Sequence, residues 1–500
     1  MYTLIHNLPN EILCNLFLIV VHRTPGRFSA AELVLSHVCA RWRSVSLALH
    51  PLWSSIFVLA HEDPQSVAVN SLIRLYLDRS GNAPLDLYID VDDGERIFTT
   101  LLLHAHRWRS VHFFSTPTQE PLPLSSLESL SLSRGSPPYP HTKKIPTWSN
   151  APRLHTLSLD LSFHTLSQFL LPWSHLHHLT LHHLSIDEMH TALRLSPALT
   201  SATFLHCTND YTFRDPVPYT SPSLSSLTIL CARRCETLGP DITHCAYPAL
   251  QHLSIQSGSE EFSFSHGIVP DLAKLVLRSE MASLTRLTLH GISYTSKHLM
   301  DLLQLVSPTL IKLDLCDVDH RGWNFLQLER WLVRALIWVG VEGEDGHQGG
   351  YNHDSQVASA STASMGSVPG HGHGPSYTHP GLLLPRLKEF GIRFPGRRRE
   401  AGMAGAVDLD LEEKMEALVR MVESRCACPS PSFGVGVGVE GAKSGLGLGT
   451  RTGHLLDGTG TGRVLRTLHL GRMWSTRMSV ELGRRLRVLE ERGVLVITAE

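Results

Sequence analysis

The chain lacks a charge of one sign. Lys and Arg number 44 against 46 Asp and Glu, for a net charge of -2 and a pI near 7.0. No global basic field exists to hold nucleic acid. Long apolar runs are also missing. The longest, around Ile12–Val21 and Leu332–Val341, are too short to span a bilayer. The opening MYTLIHNLPNEIL has no basic stretch leading into an apolar core and a small-residue cleavage site, so no signal peptide is expected. Neither nucleic acid nor a membrane is therefore an expected partner. The cysteines number nine, an odd count, and are scattered. That pattern fits a reduced intracellular compartment, cytoplasm or nucleus, better than a disulfide framework. Catalytic signatures are wanting too. No G-x-S-x-G, H-E-x-x-H or paired-carboxylate arrangement stands out, so no catalytic residue, cofactor or metal is expected.

What is present falls into two textures. Residues 1–58 read as helices ending in a short strand. Pro9 suits the first position of a helix, where its missing N–H had no partner anyway. Ile12, Leu13, Leu16, Phe17 and Val20 then share one helical face. Ser29 and Glu32 have the spacing of a capping box, and Val38, Trp42 and Val45 suggest one further helix that Pro51 stops.

From about residue 120 a repeat L-x-x-L-x-L takes over. Clear copies are Leu127/Leu130/Leu132, Leu154/Leu157/Leu159, Leu176/Leu179/Leu181, Leu224/Leu227/Ile229 and Leu250/Leu253/Ile255. Later ones are Leu284/Leu287/Leu289, Leu310/Leu313/Leu315, Leu387/Phe390/Ile392 and Leu465/Leu468/Leu470, with Leu199/Ala202/Phe204 a weak copy. Early copies lie 22 to 27 residues apart, within the leucine-rich-repeat range. The L-x-L pair alternates as a strand does, with its leucines on one face. One strand cannot bury that face alone, whereas stacked neighbours can. Helices are expected between strands: after an Asp187 cap, from near Pro270, from Ser296, over Asp410–Arg425 and over Ser479–Arg492, with a closing strand at Val494–Thr498.

The expected organisation is a helical module over 1–58, a connecting strand/helix region over 59–119 that packs on the first repeats, and a repeat array over 120–341. The array continues over 381–428 and closes over 463–500. Residues 342–380 and 429–462 are rich in Gly, Ser, Thr, His and Pro, and read as disordered insertions without enough apolar mass to order. The fold class is α/β: a helical N-terminal module followed by a solenoid of short parallel strands and helices.

Three segments carry a family resemblance. LPNEILCNLF at Leu8–Phe17 resembles the opening of the F-box, VCARWR at Val38–Arg43 its second signature and PLWSSIFV at Pro51–Val58 its closing strand. They occur in the family's order. Ala40 stands where the family carries a basic residue. The stretches Leu72–Ile89 and His104–Phe113 resemble segments that follow the F-box in a large fungal group, in which irregular leucine-rich repeats fill the remainder. The resemblance implies a substrate-recognition subunit without catalysis of its own. Its F-box would dock a Skp-type adaptor, and through it a cullin scaffold, while the repeats hold an unknown protein target for ubiquitination. Matched positions expected to meet the adaptor are Leu8, Pro9, Ile12, Leu13, Leu16, Phe17, Val38, Cys39 and Trp42. The alternative is a repeat-based interaction scaffold with no role in ubiquitination.

Within each L-x-L, the middle residue points away from the core. In order these are Ser131, Ser158, Thr180, Thr203, Thr228, Ser254, Thr288, Asp314, Gly391 and His469, and seven of the ten are Ser or Thr. Stacking would line the early ones up as a neutral, hydrogen-bonding column, and Ser158, Thr180, Thr203, Thr228, Ser254 and Thr288 are the candidate target-binding residues. Strand propensity of Thr also explains part of the pattern. Other motifs carry less. Gly436–Gly441 matches G-x-G-x-x-G but lacks the strand before and helix after that a phosphate cradle needs. Five of the 31 histidines crowd Ser174–Leu184, and His178 and His182 share a strand face, but no Cys or carboxylate nearby completes a ligand set. Cys231, Cys235 and Cys245 lack zinc-site spacing.

Overall fold

The computed structural model describes residues 8–22, 31–59, 66–90, 95–114, 120–133, 145–208, 218–232, 242–257, 268–281, 283–292, 296–316, 386–393, 418–423, 465–470, 480–491 and 496–499. Among the described residues three helices come first: α1 (Asn10–His22), α2 (Ala31–His37) and α3 (Ala40–Ala48). Strands and helices then follow as β1 (Ser55–Val58), α4 (Val67–Ser80), β2 (Leu85–Ile89), α5 (Glu95–Leu102), β3 (Trp108–Phe113), β4 (Ser129–Leu132) and β5 (Thr156–Asp160). Next are β6 (His178–His182), α6 (Ile186–Leu195), β7 (Ser201–Cys207), β8 (Tyr219–Thr220), β9 (Ser226–Cys231), β10 (Cys245–Ala246) and β11 (His252–Ser257). The remainder comprises α7 (Ile268–Arg278), β12 (Arg286–His290), α8 (Ser296–Val306), β13 (Lys312–Cys316), β14 (Glu389–Arg393), β15 (Thr467–Leu470), α9 (Val480–Glu491) and β16 (Val496–Ala499).

The fold is mixed α/β around one large sheet. Among the described residues fourteen strands pair in chain order, every pair parallel; β8 and β10 form a separate parallel pair. The leucines of the repeat stack in register: Leu130 on Leu157, Leu157 on Leu179, Leu227 on Leu253, Leu253 on Leu287 and Leu287 on Leu313. All are buried, and they share a single core with the helix residues Leu193, Leu272, Leu275, Leu299 and Leu303. Packing between neighbours therefore buries the face that no single strand can bury.

Small hydroxyls tie successive turns together. Ser223 Oγ donates to Leu199 O at 3.0 Å, Ser283 Oγ to Leu250 O at 3.0 Å and Thr309 Oγ1 to Leu284 O at 2.7 Å. In each case the residue before a repeat's first leucine reaches the carbonyl of the preceding repeat's first leucine. Part of the chain's serine content thus satisfies carbonyls that no strand partner covers.

The sheet departs from the sequence expectation in where it begins. It starts at Ser55, not near residue 120, because β1, β2 and β3 pair in series with β4. Their inward positions are Ile56 and Val58, Leu87 and Ile89, and Val111 and Phe113. Mixed apolar types bury as well as leucine but escape a leucine template. The expected single helix through Val38 and Val45 is two. It breaks at Cys39, whose extended backbone caps α3 while its Sγ accepts from the Trp42 N–H at 3.4 Å. α6 is capped by Ser185 rather than Asp187. Ser185 Oγ accepts from Glu188 N–H, and the Glu188 carboxylate reaches back to Ser185 N–H, both at 3.2 Å. Ser29 and the two Gly-rich insertions lie outside the described residues. Of the expected 410–425 helix, residues 418–423 are described, and they are helical.

Candidate functional site

Two surfaces stand out, one at each texture of the chain. The first belongs to α1, α2 and α3. Leu13 and Phe17 are 1% exposed and form the inside of this module, with Phe17 against Trp42 at 5.0 Å between ring centroids. One turn of register away, Ile12, Leu16, Ile19 and Val20 are 43–48% exposed, and Val34 and Val38 are 62% and 55% exposed. Pro9 is exposed; Leu8, Cys39 and Trp42 are half-buried. The nine residues expected to dock a partner thus divide. Ile12, Leu16, Pro9 and Val38 face outward, while Leu13 and Phe17 hold the module together. Ile19, Val20 and Val34 extend the outward patch beyond those nine. The signal was available, since α1 is apolar around most of its circumference and cannot bury every side in three short helices.

Arg41 fixes the start of α1 against α3. Its guanidinium donates to Asn10 Oδ1 from Nε at 3.1 Å and from Nη2 at 2.8 Å, and also to the Leu8 carbonyl. A second set of contacts joins the module to the sheet. Trp53 Nε1–H donates to Ser46 O at 2.8 Å, its ring meets Tyr76 edge-on at 5.3 Å, and the Arg79 guanidinium lies 4.3 Å over it. Tyr76 Oη donates to Glu32 Oε2 at 3.1 Å. Glu32 is 4% exposed, and burial raises its carboxyl above the usual range. Burial, with the Glu32 charge beside it, also raises the Tyr76 phenol.

The second surface is the face of the sheet opposite the leucines. Ser131, Ser158, Thr180, Thr203, Thr228, Ser254 and Thr288 stack strand on strand in one column, each half-buried. The column begins earlier than expected, with Phe57, Tyr88 and His112 in register ahead of Ser131. Tyr88 and His112 are stacked at 4.2 Å with only 4° between their planes. His112 is held there by Ser131 Oγ at 2.9 Å and Ser133 Oγ at 3.3 Å, and burial lowers its pKa. The other end changes character again. Asp314 follows Thr288, 3.3 Å from His290 Nε2, and leans over Gly391, where a Cβ would come within 2.6 Å of its Oδ1.

Histidines edge the column. His182 sits beside it with its pKa lowered by burial, against the opposing pull of Asp160. His183 and His206 take left-handed backbone conformations, φ 56° and 57°, and stack at 4.7 Å. His178 and His182 do share the open face of β6. Among the described residues no group of three or more His, Cys, Asp or Glu could hold a metal ion. A further polar cluster lies buried: Tyr219 Oη is 2.9 Å from Tyr247 Oη and 3.4 Å from His190 Nδ1, which is 3.7 Å from Cys245 Sγ. Burial there pushes His190 down to about 4. Cys235, the Gly436–Gly441 stretch and the side chain of His469 lie outside the described residues.

No described helix is long and apolar enough to cross a membrane. No protein-family model matches the chain, and no curated protein matches it.

Proposed function

We propose that the protein is a target-recognition subunit of a Skp–cullin–F-box type ubiquitin ligase. On this reading α1 to α3 are an F-box, and the sheet is a leucine-rich-repeat-like solenoid that holds the target. The observation that carries it is the outward apolar patch of Ile12, Leu16, Ile19, Val20, Val34 and Val38 on a module whose own core is already filled by Leu13 and Phe17. A patch of that kind on a small helical unit needs a protein partner to leave water. The three F-box-like segments fall on this module and on β1, to which it is joined. Catalysis would come from partner enzymes acting on a target held at high effective concentration.

Co-purification tests it. The tagged chain is expected to bring down a Skp-type adaptor together with a cullin. Recovery of the adaptor without a cullin would favour the scaffold reading, and recovery of neither would remove the proposal. On the target side, the middle strands present hydroxyls with few charges. A target bound there is expected to lose affinity when Thr180, Thr203 and Thr228 are changed together to Val, which keeps shape but removes the donors and acceptors. Unchanged affinity in that triple variant would clear the column of any role.

A further inference from the structure

The open face is not uniform along its length. At the leading edge of β12 to β15, two strand-first residues and two residues just before their strands place four cations at neighbouring register positions. Arg286 pairs in register with Lys312, and Lys312 with Glu389. Lys388 precedes Glu389, and Arg466 precedes Thr467, which pairs with Glu389. Backbone bonds fix the stagger: Lys388 N–H donates to Ile311 O at 2.8 Å, and Arg466 N–H to Lys388 O at 2.7 Å. Arg286, Lys388 and Arg466 are exposed. Lys312 is bound to Glu389 at 3.0 Å, so that one carboxylate is already engaged. At neighbouring-strand spacing, three steps bring all four cations within roughly 15 Å. The protein as a whole is slightly acidic, so this strip stands out against its background. The same rows at the opposite end hold Asp86, paired with Arg109, and Glu128.

We infer that this strip binds an acidic peptide segment of a protein partner, laid across β12 to β15 with its carboxylates against Arg286, Lys312, Lys388 and Arg466. The fit is one of charge and spacing. An extended segment rises about 3.3 Å per residue, so four or five residues cover the strip. Acidic side chains on alternate positions of such a segment would place two or three carboxylates over the four cations. Nucleic acid fits less well. A single strand is held by aromatic side chains that stack its bases. The column beside the strip offers Thr288, Asp314 and Gly391 instead, none of which can stack on a base. The inference rests on reading this face as the target surface. Adaptor binding is measured in parallel, so failure of one reading is distinguishable from failure of the other.

The experiment is fluorescence anisotropy with the full chain and three labelled probes: a peptide alternating Glu and Ser, the same peptide with Gln in place of Glu, and an oligouridine. The Glu peptide is expected to bind, the Gln peptide not, and raising salt to weaken binding about fivefold or more. Changing Arg286, Lys388 and Arg466 together to Ser should cost about tenfold or more, while R286K/K388R/R466K retains binding. Both variants should melt like the parent, because the three side chains are exposed, and both should pull down the adaptor as the parent does. Equal binding of the two peptides, undiminished binding by the Ser variant, or tighter binding of oligouridine than of the Glu peptide would each overturn the inference.

Discussion

Leu13 and Ile12 are adjacent in sequence and opposite in consequence. Leu13 and Phe17 are enclosed by the module, so truncation to Ala leaves a cavity. Leu13→Ala is expected to cost about 2–5 kcal/mol and Phe17→Ala about 3–5 kcal/mol. Ile12 and Leu16 face water, so I12S/L16S should leave thermal unfolding nearly unchanged yet abolish recovery of a Skp-type adaptor in a pull-down. If both pairs of variants fail in the same way, the distinction between core and docking face is wrong. At this scale the sequence was only partly legible. Helical periodicity collected Ile12, Leu13, Leu16 and Phe17 onto one side of α1. It could not say which edge of that broad stripe turns inward, because this depends on where Trp42 and Arg41 sit on a helix further along the chain.

Among elements, the joint between α2 and α4 carries a buried carboxyl. Tyr76 holds Glu32, and burial raises the Glu32 pKa. A carboxyl whose pKa is raised on folding is disfavoured in its charged form. The stability it withholds at neutral pH is regained as pH falls through the raised value toward the ordinary one. Glu32→Gln keeps an acceptor for Tyr76 without the buried charge, so it should melt at least as high as the parent and flatten this trend. Glu32→Ala leaves the Tyr76 hydroxyl buried without its acceptor, at a cost of about 1–3 kcal/mol. A drop in melting temperature for the Gln variant as large as for the Ala variant would contradict this account.

His190 works in the opposite sense. Its pKa is lowered on burial to about 4. Its contribution is present above the ordinary histidine value and is lost as pH falls toward 4. Between neutral pH and pH 5 the protein should lose roughly 2 kcal/mol on this account. His190→Gln should make melting less pH-dependent over that window. The same slope in parent and variant would assign the loss elsewhere. The cluster around His190 was not readable beforehand, since Tyr219 and Cys245 meet it only through the small β8–β10 pair. The leucine strands were readable, because a strict alternation of one residue type survives any context. β1 was readable as a strand but not as part of the array, and β2 and β3 were not readable individually, because Ile, Val, Leu and Phe share their inward positions. The break at Cys39 depends on a thiol acting as a helix cap, an uncommon donor-to-sulfur contact that no spacing rule anticipates.

At the scale of the whole molecule, each described strand of the main sheet pairs with the next main-sheet strand along the chain. Stability in such an array is close to a sum over neighbours. The Gly-rich stretches connect strands that are already neighbours, and a longer loop costs only about 0.6 kcal/mol per doubling of its length. Deleting residues 345–378 and 432–460 should therefore leave one cooperative melt near the parent temperature. A large downward shift, or a second transition, would show that those residues contribute to the fold.

The in-register column from Phe57 to Thr288 also acts as a ruler. The helical module is joined to the array at β1, and β12 lies nine strands further on, about 43 Å along the sheet at strand spacing. On the proposed reading, a target held on the open face would sit a whole number of such steps from the helical module. Gain or loss of one strand between the two would then shift reach by one increment of about 4.8 Å and leave both proposed surfaces chemically unaltered.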